Sequence, residues 1–279
     1  MLSELKLVDT HAHLFHPWFC QGKEEIMEKV HFFESMRAAG IHTIIVPGYD
    51  LVTSKLAQTL AERRGVSGIS RIYYSPGIHP TISKLEAWEL NLQLTRLQGL
   101  IRKKRPVAIG ECGLDYYRST NFFFQKLLFR SQVILAKNYQ LPLLIHLRQG
   151  GFDLDVFSDA YFLLKKINFP FGGILHCFTG SLYWARKFVK LGFLISISGN
   201  ITFPRSEELK KTVIGLDWND LVIETDSPFL SPVPLRGKKN LPWNLVFIAR
   251  EIARLKNVSF DFAASRLNAN SCRFLKKFC

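Results

Sequence analysis

Short apolar runs rich in β-branched residues alternate along this chain with longer segments of helical periodicity, and this alternation limits the possible folds. The apolar runs end near Asp9, Pro47, Ser75, Gly110, His146, His176, Ser198 and Thr225. Helical periodicity occupies 24–39, 51–64, 84–104, 121–138, 153–166, 182–191 and 206–214, and two further helical segments occupy 242–256 and 260–277. Strands that are each followed by a helix predict an α/β fold, with parallel strands closed into a (β/α)8 TIM barrel.

The predicted strands are apolar throughout, as expected when helices cover one side of a sheet and a packed interior covers the other. The chain has 279 residues, 47% of them hydrophobic, and contains no linker or break in composition, so we expect one domain over 1–279. An open, doubly wound sheet is the alternative. The lack of a glycine-rich dinucleotide loop after the first strand counts against it.

Cysteine usage and hydropathy give an expectation for the compartment. The sequence contains no apolar stretch of bilayer length and no secretory signal pattern at its N-terminus. The cysteines are odd in number and form no CxxC pair; they are Cys20, Cys112, Cys177, Cys272 and Cys279. This pattern fits a reducing environment, so we expect a cytoplasmic protein. We also expect a monomer with no membrane partner.

The formal net charge of +14 indicates what kind of partner the chain attracts. A positive field of this size attracts polyanions such as nucleic acid over a long range. The alternative explanation for this net charge is a generally basic, solvated surface with no specific partner.

The first strand ends in an HxH motif formed by His11 and His13. Side chains alternate faces in an extended strand, so both imidazoles point the same way and can bind one metal ion. Further polar residues end later strands: His79, Glu111, His146, His176 and Asp226. Since chemistry in a TIM barrel collects at the carboxyl ends of the strands, we expect these side chains to converge.

Four imidazoles and two carboxylates exceed what a single tetrahedral ion can accept, and they suit two divalent ions. We assign His11, His13 and Asp226 to one ion. His146 and His176 bind the other, and Glu111 bridges the two. Magnesium, manganese and zinc all accept such ligands. Glu111 and Asp226 are the expected catalytic residues, with Asp226 also accepting the proton of the nucleophilic water.

Each of these residues also has a structural explanation. Asp226 could cap the next helix, Glu111 could pair with a buried arginine, and His146 and His176 could be core histidines. All of these structural explanations would have to be true at the same time, so we favour the metal site. Asp9 and Glu224 lie two residues before proposed ligands on the same strand face, so we expect both to orient ligating imidazoles.

Three residues are candidates for substrate binding. His79 either contacts a phosphate or belongs to a turn that Pro80 closes. Arg236 and Lys238 follow the last strand and could bind phosphates outside the metal pair, or they could lie in a solvated loop.

The motifs that carry these residues resemble, in order along the chain, those of the TatD-type metal-dependent deoxyribonucleases. The matching segments are Asp9–His13, Gly77–Pro80, Ala108–Tyr116, Leu141–His146, His176–Gly180, Glu224–Pro228 and Arg236–Asn240. The resemblance implies an amidohydrolase-like TIM barrel and a divalent-metal phosphodiesterase acting on DNA. It also implies metal ligation at the matching positions His11, His13, Glu111, His146, His176 and Asp226.

We therefore expect a metal-dependent deoxyribonuclease that acts as a 3′–5′ exonuclease on single-stranded DNA. Two alternatives stay open at this point. One is a metal-dependent hydrolase of esters or amides, such as an aminoacyl ester on tRNA, which is also a polyanion. The other is a nucleic-acid-binding protein that has lost catalysis, although every proposed ligand is present.

Overall fold

The computed structural model describes residues 6–16, 30–62, 71–82, 86–151 and 153–278. The strands in these ranges are β1 Leu7–Asp9, β2 Ile41–Pro47, β3 Arg71–Ser75, β4 Ile109–Asp115, β5 Leu143–Arg148, β6 Gly173–His176, β7 Phe193–Ile197 and β8 Leu221–Ile223. The helices are α1 Val30–Ala38, α2 Leu51–Glu62, α3 Ala87–Lys103, α4 Phe122–Tyr139, α5 Val156–Ile167, α6 Leu182–Val189, α7 Glu207–Gly215, α8 Leu245–Leu255 and α9 Phe260–Phe278.

All neighbouring strands that pair do so in parallel, in the orders β1-β2-β3 and β4-β5-β6-β7-β8. Individual backbone hydrogen bonds join the two groups. Between β3 and β4, the amide of Val107 donates to the carbonyl of Tyr74 at 3.1 Å. Between β8 and β1, the amide of Thr10 donates to the carbonyl of Ile223 at 3.1 Å. The strands therefore follow one another around a ring, as the TIM-barrel prediction requires.

The predicted elements are confirmed, with small differences at their ends. β4 continues to Asp115, five residues beyond the end predicted at Gly110, and β5 continues to Arg148. The glycines and polar residues of the β4 segment hide its strand character from a hydropathy reading. The first residues of the helices predicted at 24–39 and 84–104 lie outside the described residues.

A layer of apolar side chains fills the inside of the ring and explains where the polar residues point. Leu144, Ile174 and Val222 belong to this layer, and each lies two residues before a polar side chain on the same strand. The polar side chains are His146, His176 and Glu224. From α9, Phe274 and Leu275 pack against the same apolar layer and cover it at the amino ends of the strands. The polar side chains therefore lie at the opposite, carboxyl end.

None of the helices within the described ranges combines the length and hydrophobicity that crossing a membrane requires.

Strand β6 begins at a glycine, at a position where no larger residue fits. Gly173 has φ +154°, and a Cβ there would lie 1.9 Å from the carbonyl oxygen of Leu143 in β5. We expect Gly173→Ala to lower the free energy of unfolding by about 2–4 kcal/mol, because β5 and β6 must separate to admit the methyl group. Urea denaturation measures this change.

Gly99 provides the matched control, since it is exposed in α3 and a Cβ there meets no atom within 4 Å. Gly99→Ala should raise the free energy of unfolding by about 0.5–1 kcal/mol. Equal effects of the two substitutions would contradict the close approach of β5 and β6.

Candidate metal centre

The HxH motif continues β1 as extended backbone between two neighbours. The amide of Ala12 donates to the carbonyl of Ile45 at 3.1 Å, and the amide of His13 donates to the carbonyl of Ser227 at 2.8 Å. The amide of Asp226 donates to the carbonyl of His11 at 2.9 Å. This pairing directs both imidazoles to one point, where their Nε2 atoms lie 3.2 Å apart.

Glu111 enters the site from an irregular position in β4, where the register with β5 shifts between Ile109 and Cys112. The preceding residue, Gly110, has φ +149°, and a Cβ there would lie 2.1 Å from the carbonyl oxygen of Leu144. Only glycine fits such an approach. The amide of Glu111 bonds the carbonyl of Gly48 at 2.9 Å, which fixes the start of its side chain above the barrel interior.

One oxygen of Glu111 belongs to a compact group of four donor atoms. The distances from Glu111 Oε2 to the Nε2 atoms of His11 and His13 are 3.4 and 3.7 Å. Asp226 Oδ1 lies 3.7 and 3.4 Å from the same two nitrogens. The donor atoms of His11, His13 and Asp226 lie within 4.8 Å of one another, as the ligands of one metal ion do, and Glu111 Oε2 approaches the same two nitrogens.

The other oxygen of Glu111 faces three imidazoles. Oε1 lies 3.1 Å from His146 Nδ1, 3.3 Å from His79 Nε2 and 3.7 Å from His176 Nε2. His176 also stacks on His11 with ring centroids 3.5 Å apart, so it lies between the two groups. The carboxylate of Glu111 thus has one oxygen in each group, the arrangement of a bridging ligand.

Two buried carboxylates set which nitrogen of each imidazole carries the proton. Glu224 Oε1 lies 2.7 Å from His176 Nδ1, and Asp115 Oδ2 lies 3.2 Å from His146 Nε2. A carboxylate accepts a hydrogen bond from the protonated nitrogen, so in the neutral imidazole the other nitrogen has a lone pair. When a bound cation displaces the additional proton, His146 Nδ1 and His176 Nε2 would present lone pairs toward Glu111, as metal ligands do.

In His79 the nitrogen that faces Glu111 carries the proton, in contrast to His146 and His176. The backbone amide of Thr81 donates to His79 Nδ1 at 3.2 Å, and the Thr81 hydroxyl lies 2.7 Å from the same nitrogen. The proton of the neutral ring is therefore on Nε2, which points into the site. Both sequence interpretations of His79 describe part of the structure, because it belongs to the turn and also presents a donor beside Glu111.

The prediction for Asp9 is wrong in one respect, whereas that for Glu224 agrees with the geometry. Asp9 accepts hydrogen bonds from the amide and hydroxyl of Thr225 at 2.9 and 2.6 Å, and from the amide of His11 at 3.2 Å. It therefore holds backbone across the β1–β8 junction instead of orienting an imidazole ring. Burial raises the pKa of Asp9 to about 8.

The electrostatics of the group favour ionised carboxylates. Burial raises the pKa of Glu111, but the imidazoles of His79 and His11 outweigh this effect and hold it well below the ordinary value. For Asp226, burial is likewise outweighed by the hydrogen bond with His13 and by His176, and its pKa is lowered. Burial also lowers the pKa of His11, which favours the neutral imidazole that a metal ion requires.

His176 and His146 behave differently because each faces a second carboxylate. Burial alone would lower the pKa of His176, but Glu224 raises it to about 10. The pKa of His146 is raised by its contacts with Asp115 and Glu111, again against the effect of burial. Without a cation in the site, the His176 ring holds an additional proton at neutral pH.

Two predicted phosphate-binding residues lie apart from the buried group. Arg236 and Lys238 are exposed in the loop after β8, and the guanidinium of Arg236 stacks 4.0 Å above the ring of Phe203. The structural explanations for Glu111 and Asp226 are not realised: the described neighbours of both carboxylates are imidazoles.

Asp115 is the site residue that sequence reasoning missed. It lies four residues after Glu111, on the same face of a strand that runs to Asp115 itself. Extending the predicted strand by this alternation would have placed it beside His146.

The donor set fits divalent cations on grounds of charge and geometry. Glu111 and Asp226 supply ionised oxygens, and four imidazoles aim nitrogens at or between them. Buried charges of this density require compensation, and a cation bound among them provides it. His11 and Asp226 would hold one ion with His13 and Glu111, and His146 and His176 would hold a second with Glu111.

We expect metal binding to weaken as the pH falls below about 10, because protons compete for His176, and the raised pKa of His146 adds to this competition. Binding should release about one to two protons per protein, which calorimetry in buffers of different ionisation enthalpy measures. In Glu224→Gln the pKa of His176 falls, so fewer protons should be released, and the affinity should drop about 10–100-fold. Binding that is independent of pH would contradict this protonation scheme.

Comparisons with known proteins identify the family to which the chain belongs. Residues 8–276 match the model of the family described as TatD related DNase. The uncharacterized metal-dependent hydrolase YabD of Bacillus subtilis is 35% identical over 272 residues, covering 97% of this chain and 99% of YabD. The crystal structure of YjjV, a TatD homologue from Escherichia coli, superposes with a TM-score of 0.84 at 27% identity and covers 98% of each chain.

A hydrolase of the TatD family from Entamoeba histolytica has the same fold, with a TM-score of 0.81 at 24% identity over 97% of this chain and 98% of that one. The family match spans the strands that deliver the buried donors, from β1 to β8. The chain belongs to the TatD family of metal-dependent hydrolases.

Proposed function

We propose that this protein is a metal-dependent deoxyribonuclease that removes nucleotides from the 3′ end of single-stranded DNA. The observation that carries the proposal is the position of Glu111, with one oxygen in each of two donor groups. Paired cations held about 3.5–4 Å apart are the usual means of hydrolysing phosphodiesters. The family description and the net charge of +14 support a DNA substrate.

Bound cations would supply two things, a water of lowered pKa and charge neutralisation at the phosphate. The side chains determine where the proton goes. Asp226 has an 11% exposed side chain against 5% for Glu111, and its lowered pKa keeps it ionised. We assign to Asp226 the acceptance of the proton from the nucleophilic water, and to Glu111 the bridging position.

His79 is suited to contact the substrate rather than to bind a cation. Its Nε2 carries the proton because Thr81 occupies Nδ1, and burial lowers its pKa, so the ring is neutral. A neutral N–H directed into the site donates to a phosphate oxygen. Arg236 and Lys238 in the exposed loop after β8 add positive charge outside the buried group.

Asp226→Ala tests the assignment of the proton acceptor. The purified protein should shorten 5′-labelled single-stranded DNA from its 3′ end in magnesium or manganese, and a chelator should abolish this activity. Asp226→Ala should lower kcat about 100-fold or more. Gel analysis of the products under single-turnover conditions measures the rate.

Glu207→Gln is the matched control, since Glu207 pairs with Lys210 on the surface of α7 and should leave kcat unchanged. Intact DNA under every metal condition would overturn the proposal. Release of amino acid from charged tRNA by the same preparation would favour the ester-hydrolase alternative.

Arg236→Ala tests phosphate binding in the loop after β8. We expect KM for single-stranded DNA to rise about threefold to tenfold with little change in kcat. The slope of log KM against log salt should fall by about 0.7, the contribution of one phosphate contact. Arg254→Ala on α8 removes the same charge from an exposed pair with Glu251 and serves as the control. Equal effects of both variants would assign Arg236 only to the general field.

A further inference from the structure

Two neighbouring tyrosines at the end of β4 have opposite environments. Tyr116 is fully buried, donates its hydroxyl proton to Asp159 Oδ2 at 2.7 Å and packs its ring against Phe122. Tyr117 is 66% exposed, and its ring lies 4.1 Å from the guanidinium carbon of Arg148. The chain therefore uses Tyr116 for packing and leaves the ring of Tyr117 largely open to solvent.

Backbone contacts on both sides fix the loop that carries Tyr117. Asp115 Oδ1 accepts hydrogen bonds from the amides of Tyr117 and Arg118 at 3.0 and 2.8 Å. The amide of Tyr116 donates to the carbonyl of Arg148 at 2.9 Å, which ties the β4 loop to β5. A Cβ at Gly150 would lie 2.0 Å from the Tyr116 carbonyl oxygen, so the two loops pack too closely for a larger residue.

The same contacts place the ring beside the metal centre. Asp115 bonds the Tyr117 amide through Oδ1, and its Oδ2 lies 3.2 Å from His146 Nε2. His146 Nδ1 lies 3.1 Å from Glu111 Oε1. Arg148 is two residues after His146 in β5 and shares its strand face, farther toward the open end of the barrel. Tyr117 and Arg148 therefore lie at the mouth, next to the donor group around Glu111 Oε1.

An exposed aromatic ring next to an arginine offers two interactions to a nucleotide. The ring stacks on a planar base whatever its identity, and the guanidinium attracts the adjoining phosphate. Within the described residues Arg148 forms no ion pair with a carboxylate, so its charge is available to a substrate. The ring of Tyr117 is 66% exposed, so it is accessible to a base from solvent.

We propose that Tyr117 and Arg148 form a subsite that stacks an unpaired DNA base next to the phosphodiester being cleaved. The inference rests on the proposed nuclease function and extends it, because it explains a preference for single strands. A base in a duplex is already stacked and paired, so it reaches the subsite only after unpairing.

The experiment compares an intact oligodeoxynucleotide with an otherwise identical strand whose 3′-terminal nucleotides lack bases. Fluorescence anisotropy in the presence of chelator measures binding without cleavage. The full-length protein should bind the intact strand about tenfold more tightly than the abasic one. Tyr117→Leu should lose this difference by weakening only the binding of the intact strand, and Tyr117→Phe should keep it.

Phe262→Leu is the matched control. Phe262 on α9 is 47% exposed and packs on Trp218, whose ring also contacts Lys256. Trp218 lies just before β8, so this aromatic pair is at the amino ends of the strands. This variant should bind both strands as the unmodified protein does. Equal weakening of both strands by Tyr117→Leu, or no weakening of either, would overturn the subsite.

Cleavage assays with manganese separate this inference from the proposed function. If the intact strand is cleaved but intact and abasic strands bind alike, the subsite is wrong and the nuclease proposal stands. If base-dependent binding is lost in Tyr117→Leu but no metal supports cleavage, base binding stands and the nuclease proposal fails. Failure of the unmodified protein to bind either strand would overturn the subsite.

Discussion

The buried carboxylate of Glu111 is the contact on which the rest of the site depends. Its two oxygens lie within 3.7 Å of nitrogens from five imidazoles, delivered by the ends of β1, β3, β5 and β6. A charge removed from water is tolerated only when such partners surround it. Several features keep this carboxylate in position. They are the close approach of the backbone at Gly110, the register shift in β4, and the carboxylates that contact His146 and His176.

The fold could be predicted because hydrophobic periodicity is a local property of the sequence, and the barrel follows from the alternation of strands and helices. The residues that meet at the site could also be predicted, because parallel strands end on the same side. Three details could not. The proton position on His79 depends on its contact with Thr81, and the partner of Asp9 depends on the register of β1 against β8. The role of Asp115 depends on where β4 ends.

The barrel has one closed and one open end, and this difference limits how a substrate can approach. Phe274 and Leu275 of α9 pack onto the interior layer at the amino ends of the strands. The imidazoles, the stacked Tyr117–Arg148 pair and the Arg236–Phe203 pair all follow the carboxyl ends. The cationic side chains of Arg148 and Arg236 therefore lie at the same end as the donors for cations.

The junction between β1 and β8 joins the first and the last strand described in the structure. Asp9 and Thr225 are bonded across a separation of 216 positions, and His11 meets Asp226 beside them. A nascent chain emerging from the ribosome consequently has the HxH pair long before its partner carboxylate has been synthesised. The cation-binding centre can be completed only after translation has passed the last strand, and its assembly requires loop closure across those 216 positions.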